Sequence, residues 1–434
     1  VLTRRDVFRG LGLSVLAVGA VGLLDACGDD PGKTHDAGST DLTLASSDIE
    51  RSDPDPGALA TGVASMHALG AGLWGELSGE SGNLAVSPFS VAVALGMTLN
   101  GAKGATLNEM LDVLAVDSAV AANAGYNAVT QHVESLAGPV ERWEEDEAEI
   151  ALDAANALFG QQGVTWEPTF LDTLAASYGA GVQQVDFETA TEAARQVING
   201  WTAEQTRDKI PELIPGGVLD PSTRLVLVNA LYMKAPWASP FEKTLTEDGD
   251  FQLADGSTVS VPLMRASENI GGSAGDGWRA ARITYAGGTL AMTVVLPDGD
   301  VDELVTSGDL PEIVGTRLSA SVALTMPRWT FRAPSPLGDA LKAMGMPTAF
   351  DAGAADLSGM SAELDLYIAA VLHEVFIAVD EEGTEAAAAT AVVVNETSAQ
   401  IIDDELVLDR PFLFVIHDVE HGTPLFVGRV SDPS

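Results

Sequence analysis

Glu381-Glu382-Gly383-Thr384-Glu385-Ala386-Ala387-Ala388-Ala389-Thr390-Ala391-Val392-Val393-Val394 has the make-up of a β-strand held in reserve. The run contains small and β-branched residues and no proline. Such residues suit a pleated, buried surface. Gly383 supplies a hinge, because a residue without Cβ takes either sign of φ at little steric cost. Alternate residues of a strand point to one face. Positions 384, 386, 388, 390, 392 and 394 are Thr, Ala, Ala, Thr, Val and Val, neither charged nor bulky, so this face could enter a crowded interior. Glu385 carries the run's charge on the opposite face after the hinge. A segment able to become a buried central strand, flanked by strand-like segments near the C-terminus, points to a conformational switch.

The flanks are strand-rich. Residues 364–380 form a long apolar strand candidate upstream. Downstream, 406–416 and 424–430 read as a pair of apolar strands joined at His421-Gly422. Further strands are expected at 151–160, 224–234, 259–264, 281–286, 290–296 and 321–332. Helical spacing of apolar residues marks 59–78 and 88–100. Ser87 is the expected cap of the second helix and Pro88 its first-turn residue. Asn199–Glu212 is expected to be a helix ending near Pro211. The acidic patch Glu141–Glu149 is expected to be a solvated loop or helix start. Helices early and strands late indicate an α+β domain with large antiparallel sheets.

The first 58 residues differ in kind. Residues 1–27 have the form of an export signal. Thr3-Arg4-Arg5-Asp6-Val7-Phe8-Arg9 resembles a twin-arginine motif, and the apolar run Leu11–Leu24 is too short and glycine-rich for a spanning helix. Leu24-Asp25-Ala26-Cys27 resembles a bacterial lipobox, which makes Cys27 the expected lipidated residue; Asp25 is atypical there. Residues 28–58 are rich in Asp, Gly, Ser, Thr and Pro and are expected to form a flexible acidic tether. The folded body is expected over 59–434. The chain would then be exported and either lipid-anchored to the cell envelope or secreted, touching membrane only through the anchor.

Composition narrows the function. The chain has 434 residues, 63 acidic against 22 basic, and a net charge of −41. That balance argues against nucleic-acid binding, which needs clustered Lys and Arg. Cys27 is the single cysteine, so no disulfide forms within a monomer. HExxH and P-loop motifs are absent, and the six histidines have no metal-ligand spacing in the sequence. No enzyme activity, metal or cofactor is therefore expected.

Separated motifs then agree in order along the body. They are Asn83-Leu84-Ala85-Val86-Ser87-Pro88-Phe89-Ser90, Leu95-Gly96-Met97, Gly101-Ala102-Lys103-Gly104-Ala105-Thr106, Asn156-Ala157-Leu158-Phe159, and Ile198-Asn199-Gly200-Trp201 with Lys209-Ile210. Leu227-Val228-Asn229-Ala230-Leu231-Tyr232 follows, with Trp237 and Pro240-Phe241. The series closes with Phe350-Asp351, Ala355–Met360, the 381–387 run, and Asp409-Arg410-Pro411-Phe412-Leu413-Phe414. With these motifs the chain resembles a serpin from roughly 59 to 433.

The resemblance implies a single serpin-like α+β domain. It has a large, mostly antiparallel central sheet, further sheets, surrounding helices and an exposed reactive loop at about 383–405. It implies a monomeric inhibitor of serine endopeptidases that acts as a suicide substrate. Glu381, Gly383, Thr384, Ala386 and Ala388 would form the loop hinge. Ser87, Ser90, Asn229 and His373 would form a hydrogen-bonded shutter behind the main sheet, and Trp237 would lie at the breach under its top. Counting from Thr384 puts the scissile bond at Thr397-Ser398, with Glu396 and Ser398 as alternative specificity residues. A small neutral residue at the cut suits an elastase-like or subtilisin-like protease. The acidic cluster Asp403, Asp404 and Glu405 is either a solvated loop or an exosite for a basic protease surface. A non-inhibitory serpin-fold binding protein tethered at the cell surface is the alternative reading.

Overall fold

The computed structural model describes residues 41–79, 81–142, 147–385 and 404–434. Six helices dominate the first half: α1 (Leu59–Leu77), α2 (Pro88–Leu99), α3 (Gly104–Val113), α4 (Ala119–Ser135), α5 (Pro168–Tyr178) and α6 (Phe187–Gln205). Among them run β1 (Thr43–Ala45), β2 (Leu84–Val86), β3 (Gly138–Glu141), β4 (Glu147–Gln161), β5 (Val182–Val185) and then β6 (Leu225–Pro236). The second half carries β7 (Glu247–Gln252), β8 (Thr258–Arg265), β9 (Ile270–Gly275), β10 (Trp278–Thr284), β11 (Leu290–Pro297), β12 (Ala320–Pro327), β13 (Trp329–Pro336) and β14 (Ala370–Val379). The last strands are β15 (Gly383–Thr384), β16 (Asp404–Val407), β17 (Phe412–Asp418) and β18 (Pro424–Val430).

Two sheets organise these strands. The eight-stranded sheet has the order β1-β5-β4-β6-β15-β14-β13, with β3 paired to β4. The ten-stranded sheet has the order β2-β18-β17-β11-β10-β9-β12-β8-β7, with β16 paired to β12. The α+β expectation holds in this architecture.

Local chemistry explains the helices that position the site. Ser87 is extended, and its hydroxyl accepts the Ser90 N–H at 3.2 Å, with Pro88 opening α2. Every residue of α2 is buried, so this helix sits inside the molecule behind the main sheet and is apolar on all sides. Helix α6 covers the opposite face of that sheet. Ala194 and Ile198 of α6 share an apolar cluster with Ala155, Phe159, Val226, Val228, Ala230 and Leu372. Along β6 the residues therefore alternate, with Val226, Val228 and Ala230 towards α6 and Leu225, Leu227, Leu231 and Met233 in the main core.

Several boundaries depart from expectation for identifiable reasons. The helix expected at Asn199–Glu212 runs instead over Phe187–Gln205. Asp186 caps its start by accepting the Thr189 N–H at 2.9 Å. Arg207 and Asp208 end the run with φ of +51° and +63°. Asn199 then clamps the returning chain, exchanging hydrogen bonds with both backbone groups of Ile214 at 2.8 and 3.0 Å.

The candidate at 321–332 divides at Pro327-Arg328 into β12 and β13, which join different sheets. The candidate at 364–380 shortens to β14, because the preceding backbone bonds elsewhere: Ile368 N–H to Ala349 and Ala369 N–H to Leu225. The candidate at 406–416 breaks before Phe412, where Pro411 has no N–H to give to a ladder. The acidic patch is neither loop nor helix start at its ends. Glu141 closes β3 and Glu147 opens the partner strand β4, with register Glu141↔Glu147.

The expected tether is folded over its described part. Thr43–Ala45 pairs antiparallel with β5 at the edge of the main sheet. Arg51 is held by Asn127 at 2.9 Å, by Glu134 at 2.8 Å and by Thr130. The sequence signal failed here because a three-residue edge strand is too short for periodicity to register. Residues 1–40, with the expected export signal and Cys27, lie outside the described residues.

Candidate functional site

The site is the seam between β6 and β14. These strands pair in parallel from Ala370↔Val226 to Val375↔Leu231. Above that point they separate, and the start of the reserve strand occupies the top of the gap. Thr384 pairs antiparallel with Ala235 of β6 on one side and with Val379 of β14 on the other. The hinge expected in an exposed loop is thus already docked: Thr384 is 1% exposed. Between the docked residue and the parallel pairs, Phe376–Ala378 and Tyr232–Lys234 face each other across the seam without register partners there.

A tight turn turns β14 back into the seam. The Asp380 N–H donates to the Gly383 carbonyl at 3.0 Å, and the Asp380 carboxylate accepts the Glu382 N–H at 2.8 Å. Gly383 passes so close to β6 that a Cβ would sit 2.3 Å from the Ala235 carbonyl oxygen. Only glycine fits, so the reason for this residue is close backbone approach as well as its φ of +155°. Glu385 follows, just beyond β15, with φ of +48°. Its carboxylate meets Lys209 at 2.8 Å and accepts from the Tyr232 hydroxyl at 3.2 Å. Burial, and after it the Glu385 charge, pushes the Tyr232 phenol up to about 12.

Trp237 anchors this turn. Its indole N–H donates to the Asp380 carbonyl at 2.9 Å, and its backbone N–H to Glu382 at 2.8 Å. The ring stacks on Tyr285 with centroids 4.5 Å apart. Tyr285 in turn bonds the Thr384 hydroxyl at 2.6 Å, and burial drives its phenol far above the usual range. Glu381 accepts from Thr246 at 2.7 Å and lies 3.6 Å from Arg328; Glu382 pairs with Lys243 at 3.0 Å. Tyr285 lies in none of the motifs quoted from the sequence, and Lys209 and Tyr232 lie in two of them without a role at the hinge being assigned.

Lower in the seam, the structure brings Ser87, Asn229 and His373 together. His373 is buried, accepts the Ser87 N–H on Nε2 at 3.0 Å, and approaches the Asn229 carbonyl with Nδ1 at 3.2 Å. Those partners place the proton on Nδ1 and keep the ring neutral. Desolvation lowers its pKa to about 4, opposed in part by the Asn229 bond. Ser90 bonds the Asn156 side chain instead, and Asn156 stands opposite Asn229 in the β4–β6 register. Asn229 is fully buried, yet neither atom of its side-chain amide has a hydrogen-bond partner. Unsatisfied buried polar atoms cost about 1–3 kcal/mol each. Asn229 therefore leaves the seam under-satisfied at its centre.

Ala386, Ala388, Glu396, Thr397, Ser398 and Asp403 lie outside the described residues. Asp404 and Glu405 are exposed, as expected, but on strand β16 rather than in a loop, in parallel register with Val322 and Ala323. Among the described residues the seam holds no cluster of His, Cys and carboxylates suited to a metal ion.

Comparison with known proteins gives a consistent result. A family model described as serpin (serine protease inhibitor) matches residues 64–433. A leukocyte elastase inhibitor of Xenopus laevis is 34% identical over 365 residues, covering 82% of this chain and 94% of the relative. Serpin B4 of Homo sapiens is 36% identical over 370 residues, with the same coverage of each chain. Among solved structures, the thermophilic serpin tengpin in its native state superposes with a TM-score of 0.76 at 25% identity, covering 88% of this chain and 96% of tengpin. Arabidopsis AtSerpin1 in its native stressed conformation gives 0.72 at 28% identity, covering 87% and 98%. With its family match spanning nearly the whole described body, this chain belongs to the serpin family of serine protease inhibitors.

Proposed function

We propose that the chain inhibits an elastase-like or subtilisin-like serine endopeptidase by loop insertion, with Thr397-Ser398 as the bond attacked. The protease serine adds to the Thr397 carbonyl, the Ser398 amine leaves with the proton, and an ester joins Thr397 to the protease. Severing the loop frees 385–397 to continue the strand that Thr384 begins.

The docked Gly383-Thr384 pair carries this reading, because a strand that continued from it would keep its register. Each step along the entering strand is one step back along its antiparallel neighbours. Extending Thr384↔Ala235 and Thr384↔Val379 brings Thr390 opposite Asn229 and His373 together. The extension ends with Val394 opposite Leu225, the first residue of β6. The reserve strand is thus as long as the seam. Its inward face keeps the small residues of positions 384 to 394, as the buried Thr384 requires. Thr390 reaches the under-satisfied Asn229 with a hydroxyl that donates and accepts. At about 3.3 Å per residue, the acylated Thr397 travels on the order of 35 Å or more from the docked end. Pulling a protease that far along the sheet distorts it, and losing one oxyanion-hole donor alone slows deacylation by about 10²–10³.

Incubation with elastase and with subtilisin tests this. The expected product is an SDS-stable complex with a released C-terminal peptide beginning at Ser398. Clean cleavage without complex would leave the non-inhibitory binding reading. We further propose that residues 1–27 direct export, that Cys27 carries a lipid, and that the protein acts as a monomer at the cell envelope. Radiolabelled palmitate incorporation that is lost in Cys27→Ser is the check on the anchor.

A further inference from the structure

Four of the chain's six histidines fall outside the seam in the described body, at 67, 132, 417 and 421, and all lie around one carboxylate, Asp418. His132 closes the last turn of α4. Glu420 and His421 form the tip of the hairpin between β17 and β18. The His132 and His421 rings meet edge to face with centroids 4.7 Å apart. The ligand atoms of His132, Glu420 and His421 all lie within 4.8 Å of one another. His421 Nε2 and Glu420 Oε1 are 3.7 Å apart.

The support beneath this cluster is rigid. Asp418 has a side chain only 1% exposed. Its carboxylate accepts the backbone N–H groups of His421 at 2.7 Å and Thr423 at 2.6 Å, which fixes the hairpin. The same carboxylate lies 3.3 Å from His132 Nε2. A buried carboxylate beside an imidazole orients the ring, as carboxylates do behind metal-bound histidines.

From these contacts we infer that His132, Glu420 and His421 bind one divalent transition-metal cation of the zinc class. Two imidazoles and a carboxylate suit Zn²⁺ and its neighbours rather than Mg²⁺ or Ca²⁺, which prefer all-oxygen shells. Metal–ligand distances of about 2.0–2.2 Å set tetrahedral ligand atoms roughly 3.4 Å apart. The Glu420 and His421 side chains, 76% and 32% exposed, have the freedom to close that remaining difference. Three protein ligands leave a fourth position for water. The bound ion ties the end of α4 to the C-terminal hairpin, joining elements 286 residues apart at Asp418. None of its three ligands belongs to the segment 383–405, and the proposal does not depend on the inhibitory mechanism.

The test uses the full chain stripped with a chelator. Zn²⁺ at a hundredfold excess over its Kd is expected to raise the melting temperature by about 3 °C or more. Co²⁺ is expected to give the intense visible absorption of a four-coordinate site. His421→Ala and Glu420→Gln should each weaken binding at least about tenfold. His35→Ala, in the N-terminal region, should leave it unchanged. Absence of both the thermal shift and the cobalt band in the wild-type chain overturns the proposal. Retention of wild-type affinity in His421→Ala overturns it equally, because binding then lies elsewhere.

Discussion

Thr384→Arg separates trapping from cleavage. Thr384 is 1% exposed, and its hydroxyl is held 2.6 Å from Tyr285 in a pocket closed by the stacked Trp237. An arginine there would replace a hydroxyl that Tyr285 holds in a buried site. Leaving a charge buried and unpaired costs about 3–5 kcal/mol. At about 1.36 kcal/mol per tenfold in rate, insertion slows by at least about a hundredfold. The distant scissile bond is untouched, so acylation proceeds and hydrolysis overtakes trapping. With elastase, wild type should give near-stoichiometric SDS-stable complex, while Thr384→Arg should give cleaved chain, active protease and a stoichiometry of inhibition raised at least about tenfold. Thr384→Val keeps the shape but strands the Tyr285 hydroxyl, a loss of about 1–3 kcal/mol, and should still form complex. If Thr384→Arg trapped protease as efficiently as wild type, insertion through this seam would not be the mechanism.

Other consequences follow from the same geometry. Gly383→Ala would press a Cβ against the Ala235 carbonyl and should undock the hinge, seen as faster hydrogen exchange at Glu385 N–H, now bonded to Ala378. Thr390→Val should leave the intact chain's stability unchanged but lower that of the cleaved form by about 1 kcal/mol, read from denaturant midpoints of both. His373, lowered to about 4, binds a proton more readily unfolded than folded. Its contribution is therefore full above pH 6.5 and is lost as pH falls from 6.5 to 4. That loss is about 3 kcal/mol, and urea titrations at pH 7 and pH 5 should show a shallower decline in His373→Gln. Replacing Asp403, Asp404 and Glu405 with neutral residues should slow association and flatten its salt dependence if they steer a basic protease; an unchanged rate assigns them no such role.

Much of the fold was legible because the relevant signals are local. Ser87-Pro88 announces α2, whose all-round apolarity marks it as interior. Gly383 announces the pivot at which the chain turns back towards the seam. What the sequence concealed depends on partners far along the chain. That the hinge is already docked follows from where β6 and β14 part, which no local pattern encodes. Tyr285 and Lys209 grip the hinge from separate segments, and Asn229 looks like any strand asparagine until its amide is found without a partner. His132 and His421 carry no spacing signature because α4 and the last hairpin meet only in three dimensions. The edge strand at Thr43–Ala45 and the break at Pro327-Arg328 escaped for a simpler reason: three residues, or one kink, fall below the length over which periodicity can be read.

The most direct test compares the intact chain with the chain cut in its loop by a non-target protease. If 385–394 enters between β6 and β14 in the register set by Thr384, the cut form should melt well above the intact one and a crystal structure should show Thr390 beside Asn229 and His373. Equal melting temperatures, with β6 and β14 still paired from Val226 to Leu231 after the cut, would contradict the account at its root.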